Sequence, residues 1–372
     1  MISKVEYTGE KPLNREPPLK ELIRNFITPT NEAAYNRNHS AIPILDAATH
    51  RVRVDGLVPT SLTLSIEQLR NDFAQHDVVC ALQCAGNRRH TMRTLLKEVE
   101  GIDWYDGAIM NCRWKGPRLR DVLLRAGVRE QDAEDASLHV AFACHQMECQ
   151  DDGYYGGSIE LWRAMDLDRE VILGLEMNGK PLPPAYGYPV RVVVPGVAGA
   201  RWVKWLDRIT VQNTESPNFY QQHDYKILPP EALTWEIAED YWSKVPAMQC
   251  MPVNSVVAVP EDDSTVQLSA DGYLDVAGYA VPRGNQGPIV RVEVSGDEGM
   301  TWVDAEILRH PSENKWTWAL WKARIKMEKG ANKTIFSRAT DAGGNTQPKC
   351  PQWNLRGVAY NGYGSSFNVT VT

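Results

Sequence analysis

No stretch of this 372-residue chain approaches the ~18–20 consecutive apolar residues that a bilayer-crossing helix requires, which excludes that kind of membrane span. The stretch from Met1 to Phe26 carries Pro12, Pro17 and Pro18 among scattered charges and lacks the apolar centre of a secretion signal. The last residues, Thr370-Val371-Thr372, are not a peroxisomal Ser-Lys-Leu address. Basic runs are missing, and a net charge of −7 argues against general nucleic-acid binding, which needs a clustered cationic surface. No Cys-x-x-Cys-His occurs, so a covalently attached c-type haem is excluded. Seven cysteines are an odd number at spacings unlike a small disulfide scaffold. They predict a reducing environment in which most thiols are small buried apolar groups. A soluble chain is expected, with an intracellular compartment (cytoplasm, mitochondrion or peroxisome) favoured and none singled out.

What is present is globular material, 43% hydrophobic and 23% charged, and the length suits two domains. Residues 1–40 read as an extended, proline-punctuated arm that ends at Asn36-Arg37-Asn38-His39. Residues 50–58 alternate as a strand, and Ser65-Ile66-Glu67-Gln68 is a capping box opening a short helix through Phe73. Val78 to Leu82 is apolar on both faces, as a buried strand is, and it delivers Cys84 to a turn. Pro117 to Ala126 is amphipathic, with Leu119, Val122, Leu123 and Ala126 on one face and Gly127 past the end. A valine-rich strand is expected over Pro189 to Val197, and another over Trp202 to Val211. After Pro246 helical periodicity disappears. Val290, Val292 and Val294 alternate with charged residues, and Trp316, Trp318 and Leu320 alternate in turn, which predicts an all-β sandwich. The division is therefore residues 1–245, mixed α/β, and residues 246–372, a β-sandwich. The class is α+β, without internal repeats.

Cys84 is the first residue with chemistry to offer. It lies in Leu82-Gln83-Cys84-Ala85-Gly86-Asn87-Arg88-Arg89, and two arginines within five residues favour the thiolate. A soft thiolate suits a nucleophile or a transition-metal ligand; on residue type alone, plain burial is the more frequent fate. A cysteine hydrolase needs a histidine base, and His90, His139 and His145 have no recognisable context for one. Cys144-His145 and Cys149 match no common zinc spacing.

The sequence around Cys84 resembles the cofactor-cysteine motif of the sulfite oxidase family. So do Arg37-Asn38-His39, Gly187-Tyr188-Pro189-Val190-Arg191, Pro195-Gly196-Val197-Ala198-Gly199-Ala200-Arg201, Val203-Lys204-Trp205-Leu206, Asp224-Tyr225-Lys226 and Trp353-Asn354-Leu355-Arg356-Gly357. These segments keep the family's order from residue 37 to 357.

The resemblance implies a molybdopterin-binding domain of sulfite oxidase type, followed by an immunoglobulin-like dimerisation sandwich. It implies a molybdenum–molybdopterin cofactor with Cys84 as the one protein ligand to the metal. The activity implied is oxidation of sulfite to sulfate by oxygen-atom transfer from a cysteine-ligated molybdenum–oxo centre. Electrons would then pass to an external acceptor, either oxygen or a cytochrome. Arg37, Arg89 and Arg356 match the family's substrate-pocket arginines, whose guanidinium forks fit sulfite oxygens. Tyr225 matches the pocket tyrosine and Trp104 a pocket wall. Read alone, the tyrosine and tryptophan suit a packed core, and most arginines make surface ion pairs. Arg37, Asn38, His39, Tyr186, Arg191, Gly199, Ala200, Arg201, Trp202 and Lys204 fall where the family holds its pterin. Two departures stand out. Tyr186 replaces a histidine common in the family, and Ala143 to Glu148 replaces an acidic, glycine-containing run. Arg356 stands where related nitrate reductases tend to carry methionine, which favours sulfite; the alternative is a nitrate reductase-like or other small-oxyanion or S-oxide oxo-transferase. A homodimer is expected, without nucleic-acid or membrane partners.

Overall fold

In the computed structural model the described residues are 12–30 and 34–372. The remainder of the expected N-terminal arm, residues 1–11 and 31–33, lies outside them. The arm is not extended throughout. Pro17-Pro18 presets the backbone for one helical turn, Leu19–Leu22. Leu22 and Phe26 from this arm are buried with Val256, Tyr279, Val281, Trp318 and Leu320 of the C-terminal half. An isolated bridge between Arg15 and Asn36 then sets the chain into Arg37-Asn38-His39.

A five-stranded sheet runs in the order Leu62–Ser65, Arg51–Gly56, Arg208–Gln212, His139–Cys144, Tyr155–Glu160, with one parallel pair, Arg51–Gly56 beside Arg208–Gln212. The Ser65 side chain accepts from the Gln68 N–H, and the Gln68 side chain accepts from the Ser65 N–H, at 3.1 and 2.9 Å. That is the expected capping box, opening the helix Ile66–Asn71. A second sheet is built on the hairpin of Gln75–Gln83 with Ile109–Pro117, in which Cys80 lies opposite Cys112. From Val78 onward the first strand of this hairpin is buried on both faces. The amphipathic helix is Leu119–Arg125 and buries Leu119, Val122 and Leu123. Pro117 belongs to the end of the preceding strand instead.

Two expected strands are shorter than their periodicity suggests. Over 189–197 only Arg191–Val193 forms a strand, against Ile172–Gly174, and Val197 makes a single bridge to Cys250. Over 202–211 only Arg208–Gln212 does. Trp205 has a left-handed backbone, with φ of 53°. Consecutive side chains of Lys204 and Trp205 face one cavity, which a strand's two-residue alternation forbids.

The C-terminal part is a sandwich of two sheets. One runs Asn254–Val259, Tyr273–Val281, Ala319–Lys326, Glu306–Leu308; the other runs Thr265–Val266, Gly364–Val371, Gly330–Asp341, Ile289–Ser295, Val303–Asp304. Val257, Val276, Val292, Trp321, Ile335 and Val369 fill the space between them. Trp316 and Trp318 precede the strand Ala319–Lys326 and leave this core. Trp316 is buried with the first domain's cluster, and the Trp318 indole N–H donates to the Phe26 carbonyl at 2.9 Å. Among the described residues no α-helix follows Trp235–Ala238.

Candidate active site

The buried strand Gln75–Gln83 ends by pushing Cys84 into a tight turn. The Cys84 N–H donates to the Ala108 carbonyl, and the Asn87 N–H returns to the Cys84 carbonyl at 3.0 Å. Asn87 accepts from the Ala108 N–H at 2.9 Å and donates to the Tyr279 hydroxyl at 3.0 Å. Arg88 has a left-handed backbone, φ 69°, and a fully buried side chain. Its guanidinium donates to Asn254 Oδ1 at 2.8 Å and to the carbonyls of Gly362 and Tyr363 at 2.7 Å each. The Cys84 turn is thus bolted to the sandwich.

Cys84 is 5% exposed, and it lines a cavity that is partly open to solvent. Around the cavity stand Tyr35, Asn36, Arg37, Asn38, His39, Ser40, Leu82, Ala85, Met110, Tyr155, Tyr186, Arg191, Gly199, Ala200, Trp202, Lys204, Trp205 and Tyr225. Most of the residues singled out from sequence therefore meet at one place. Tyr35, Tyr155, Met110 and Trp205 belong to no role assigned from sequence. Tyr35, two residues before Arg37, was findable by proximity; nothing local marks Tyr155.

Four residues singled out from sequence stand behind the wall instead. Trp104 is buried edge-on to Tyr35, 5.6 Å between ring centres. Arg201 donates to the Tyr220 carbonyl at 2.8 Å and to the Met248 carbonyl, beneath the Gly199–Ala200 turn. Arg89 donates to the carbonyls of Ile102 and Arg356 at 2.7 and 3.0 Å. Arg356 Nε and Nη2 lie 3.0 and 2.9 Å from Asp224 Oδ1, with the Trp235 ring 4.8 Å from its guanidinium carbon. Arg89 still feels the charges of Cys84, Arg356, Asp224 and Tyr225, so these groups are electrostatic neighbours.

The charged residues of the wall are all cations, Arg37, Arg191 and Lys204, and among the described residues no aspartate or glutamate lines it. Lys204 Nζ donates to the carbonyls of Arg37 and Ala185, at 2.9 and 3.1 Å, and to the Asn38 side chain. Arg191 donates to the carbonyls of Tyr186 and Trp202 at 2.9 and 3.1 Å, its guanidinium 5.0 Å from the Trp114 ring. Burial and the neighbouring Arg191 and Arg37 hold the Lys204 ammonium well below its usual pKa, and burial brings Arg191 down to about 10. Gly187, at φ 110°, leaves room for these two side chains, since a Cβ there would lie 3.0 Å from Arg191 Cβ and 3.1 Å from Lys204 Cβ. A Cβ on Gly199 would press Leu82 and the Gln83 carbonyl, at 3.0 and 3.1 Å. Tyr186, at the histidine-to-tyrosine departure, donates to the Ala34 carbonyl at 3.3 Å.

His39 Nδ1 is 3.0 Å from Arg37 Nη2, and its Nε2 is 2.7 Å from the Tyr225 hydroxyl. Burial, Arg37, Lys204 and Arg356 push the imidazole well below its usual pKa, so it is neutral. Burial and Asp224 raise the Tyr225 phenol, which stays protonated. Buried cations without acidic partners call for an anionic ligand, flat aromatic walls suit a heterocycle, and one thiol suits a soft metal. The cavity fits a phosphate-bearing pterin that carries a metal.

A mixed α/β domain with such a cavity, backed by a β-sandwich, defines a molybdenum-pterin oxidoreductase. The "oxidoreductase molybdopterin binding domain" family matches residues 39–220, and the "Mo-co oxidoreductase dimerisation domain" family matches residues 245–372. Sulfite oxidase of Gallus gallus is 42% identical over 355 residues, covering 94% of this chain and 74% of that protein. Human mitochondrial sulfite oxidase is 42% identical over 96% of this chain, which spans only 64% of the human protein's length. Nitrate reductase [NADH] of Hordeum vulgare is 36% identical over 96% of this chain and 40% of its own length. Among solved structures, the sulfane dehydrogenase SoxCD from Paracoccus pantotrophus superposes with a TM-score of 0.75 at 25% identity, covering 99% of this chain and 88% of that one. The chain belongs to the sulfite oxidase family.

Proposed function

We propose that this enzyme oxidises sulfite to sulfate with a molybdenum–molybdopterin cofactor in the cavity, Cys84 being the one protein ligand to the metal. The observation that carries the reading is the Cys84 thiol at the wall of a cationic cavity that no carboxylate lines among the described residues, with Arg89 and Arg356 in electrostatic reach. Bound there, the cofactor supplies one oxygen atom to the sulfite sulfur and takes up the electron pair released. The chain's own residues recognise, orient and enclose. Asn38, His39, Tyr186, Arg191, Gly199, Ala200, Trp202 and Lys204 surround the cofactor, and Arg201 props the Gly199–Ala200 turn from behind.

Arg37 lines the cavity and meets the anion directly, while Arg89 and Arg356 favour it by charge from behind the wall. Arg356 is already oriented by Asp224 and Trp235, so little side-chain entropy is lost when an oxyanion arrives. Tyr225 contributes a protonated hydroxyl, and Trp104 backs the wall through Tyr35. The two electrons leave to an external acceptor, oxygen or a cytochrome. Residues 1–245 form the cofactor domain, and residues 246–372 the sandwich through which two copies pair. Light scattering at micromolar concentration should give the mass of a dimer.

The similarity to a nitrate reductase keeps nitrate as the second reading. Elemental analysis for molybdenum, with steady-state assays on sulfite and nitrate, tests both. We expect stoichiometric metal and sulfite turnover. Arg356→Met should raise the sulfite KM about tenfold or more, as loss of a nearby cation from an anion site does. Unchanged sulfite kinetics would remove Arg356 from the pocket.

A further inference from the structure

Resting on that reading, we propose that His39 is a positioning residue that fixes the Tyr225 hydroxyl as a hydrogen-bond donor toward the bound oxyanion. Arg37 sets the first constraint. A guanidinium has only donors, and its Nη2 lies 3.0 Å from His39 Nδ1. That nitrogen must therefore offer its lone pair, and the proton of the neutral ring sits on Nε2. Nε2 lies 2.7 Å from the Tyr225 oxygen, so the imidazole donates and the hydroxyl accepts. The phenolic proton is then turned away from His39.

The imidazole cannot easily rotate out of this arrangement. The rings of Tyr155 and Tyr220 lie against it, at 5.1 and 4.1 Å between centres. His39 and Tyr225 both line the cavity that holds Cys84. A sulfite or sulfate dianion presents only acceptors, so a tyrosine fixed as donor matches it and one fixed as acceptor would not. Both ring nitrogens of His39 are used within the protein, and neither is left to grip the pterin. This differs from the anchoring role that the family resemblance implies.

The test is the tautomer, measured by nitrogen NMR on the full-length, cofactor-loaded chain labelled with [15N]histidine. The sequence has eight histidines, and the resonances lost in His39→Gln identify this one. A neutral ring protonated on Nε2 at pH 7 is expected. A ring protonated on Nδ1, or on both nitrogens, overturns the proposal whatever the activity. Kinetics give the second arm. His39→Leu should lower kcat about tenfold with a smaller change in KM, since orientation is lost mainly in the transition state. His39→Gln keeps an N–H where Nε2 stood and should recover most of that loss. If His39→Leu instead sheds molybdenum and pterin, the residue is an anchor and the proposal fails. If His39→Leu does not fold, the tautomer and the Gln variant decide. A chain without sulfite turnover would sink the sulfite reading and leave the tautomer result standing, so the two failures are distinguishable.

Discussion

At Cys84 two physical demands meet in one side chain. It packs with the first domain's core cluster, which protects it, and it also lines the cavity, which exposes it to a ligand. Serine has nearly the same shape but is a hard donor that remains protonated at neutral pH. Cys84→Ser should therefore fold, retain less molybdenum and lose at least about a hundredfold in turnover, the upper range for disturbing even an outer partner of a metal site. Metal analysis and a sulfite assay on the folded variant check this. Lys204 and Arg191 show the complementary cost. They are buried without carboxylates, so burial disfavours their charged forms, and an anion bound beside them would restore the charge.

Among the elements, the turn after the strand Gln75–Gln83 depends on a domain far away in sequence. Arg88 spans the gap to Asn254, Gly362 and Tyr363. Replacing it by methionine removes the donor to the Tyr363 carbonyl and one of the two donors to Asn254 and Gly362, where Gln347 remains, at a cost of ~1–3 kcal/mol for a buried acceptor left unpaired. In metal-free Arg88→Met, iodoacetamide should label Cys84 at least about tenfold faster, while the buried pair Cys80 and Cys112 stays protected. Equal labelling of all three would mean global unfolding instead. The N-terminal arm is fastened by Glu16, whose carboxyl oxygens accept from the N–H groups of Tyr105 and Gly107 at 2.9 and 2.5 Å. Burial, assisted by Asp106 and Asp103, pushes Glu16 up to about 8 from an ordinary 4.5. Between those values the folded chain holds a proton that the unfolded chain releases, so stability falls as pH rises from about 4.5 and the loss is complete above about 8. Glu16→Gln, which carries no charge, should raise Tm relative to the parent more at pH 8.5 than at pH 6. Equal shifts at both pH values would contradict the assignment.

For the whole molecule, the boundary near residue 245 divides the sequence more cleanly than the space. Trp318 of the sandwich is fully buried with Leu22, Phe26 and Ile109 of the first half. Trp318→Ala should cost ~3–5 kcal/mol and lower a single cooperative transition. Calorimetry that showed two separate transitions in the parent chain, with only the second affected, would refute that coupling. Where charge decides function, the total of −7 is uninformative, because the cavity wall is locally cationic.

Much was legible without coordinates because it is local. The Ser65–Gln68 box, the apolar strand before Cys84, the Leu119–Arg125 stripe and the loss of helical period after Pro246 are each decided within a few residues, by hydrogen-bond geometry and side-chain period. The ordered motifs likewise gathered Arg37, His39, Cys84, Lys204 and Tyr225 before the cavity was seen. Long-range packing decided the remainder. The apolar alternation from Val203 to Val211 could not reveal that Lys204 and Trp205 line the same cavity, because the chain leaves strand geometry there, with a left-handed backbone at Trp205. Nor could any local pattern place Trp318 on the arm, Arg88 in the sandwich, or Arg356 against Asp224. Those contacts join residues more than a hundred positions apart, and such partners are chosen by burial and charge compensation in the folded chain, not by neighbours in sequence.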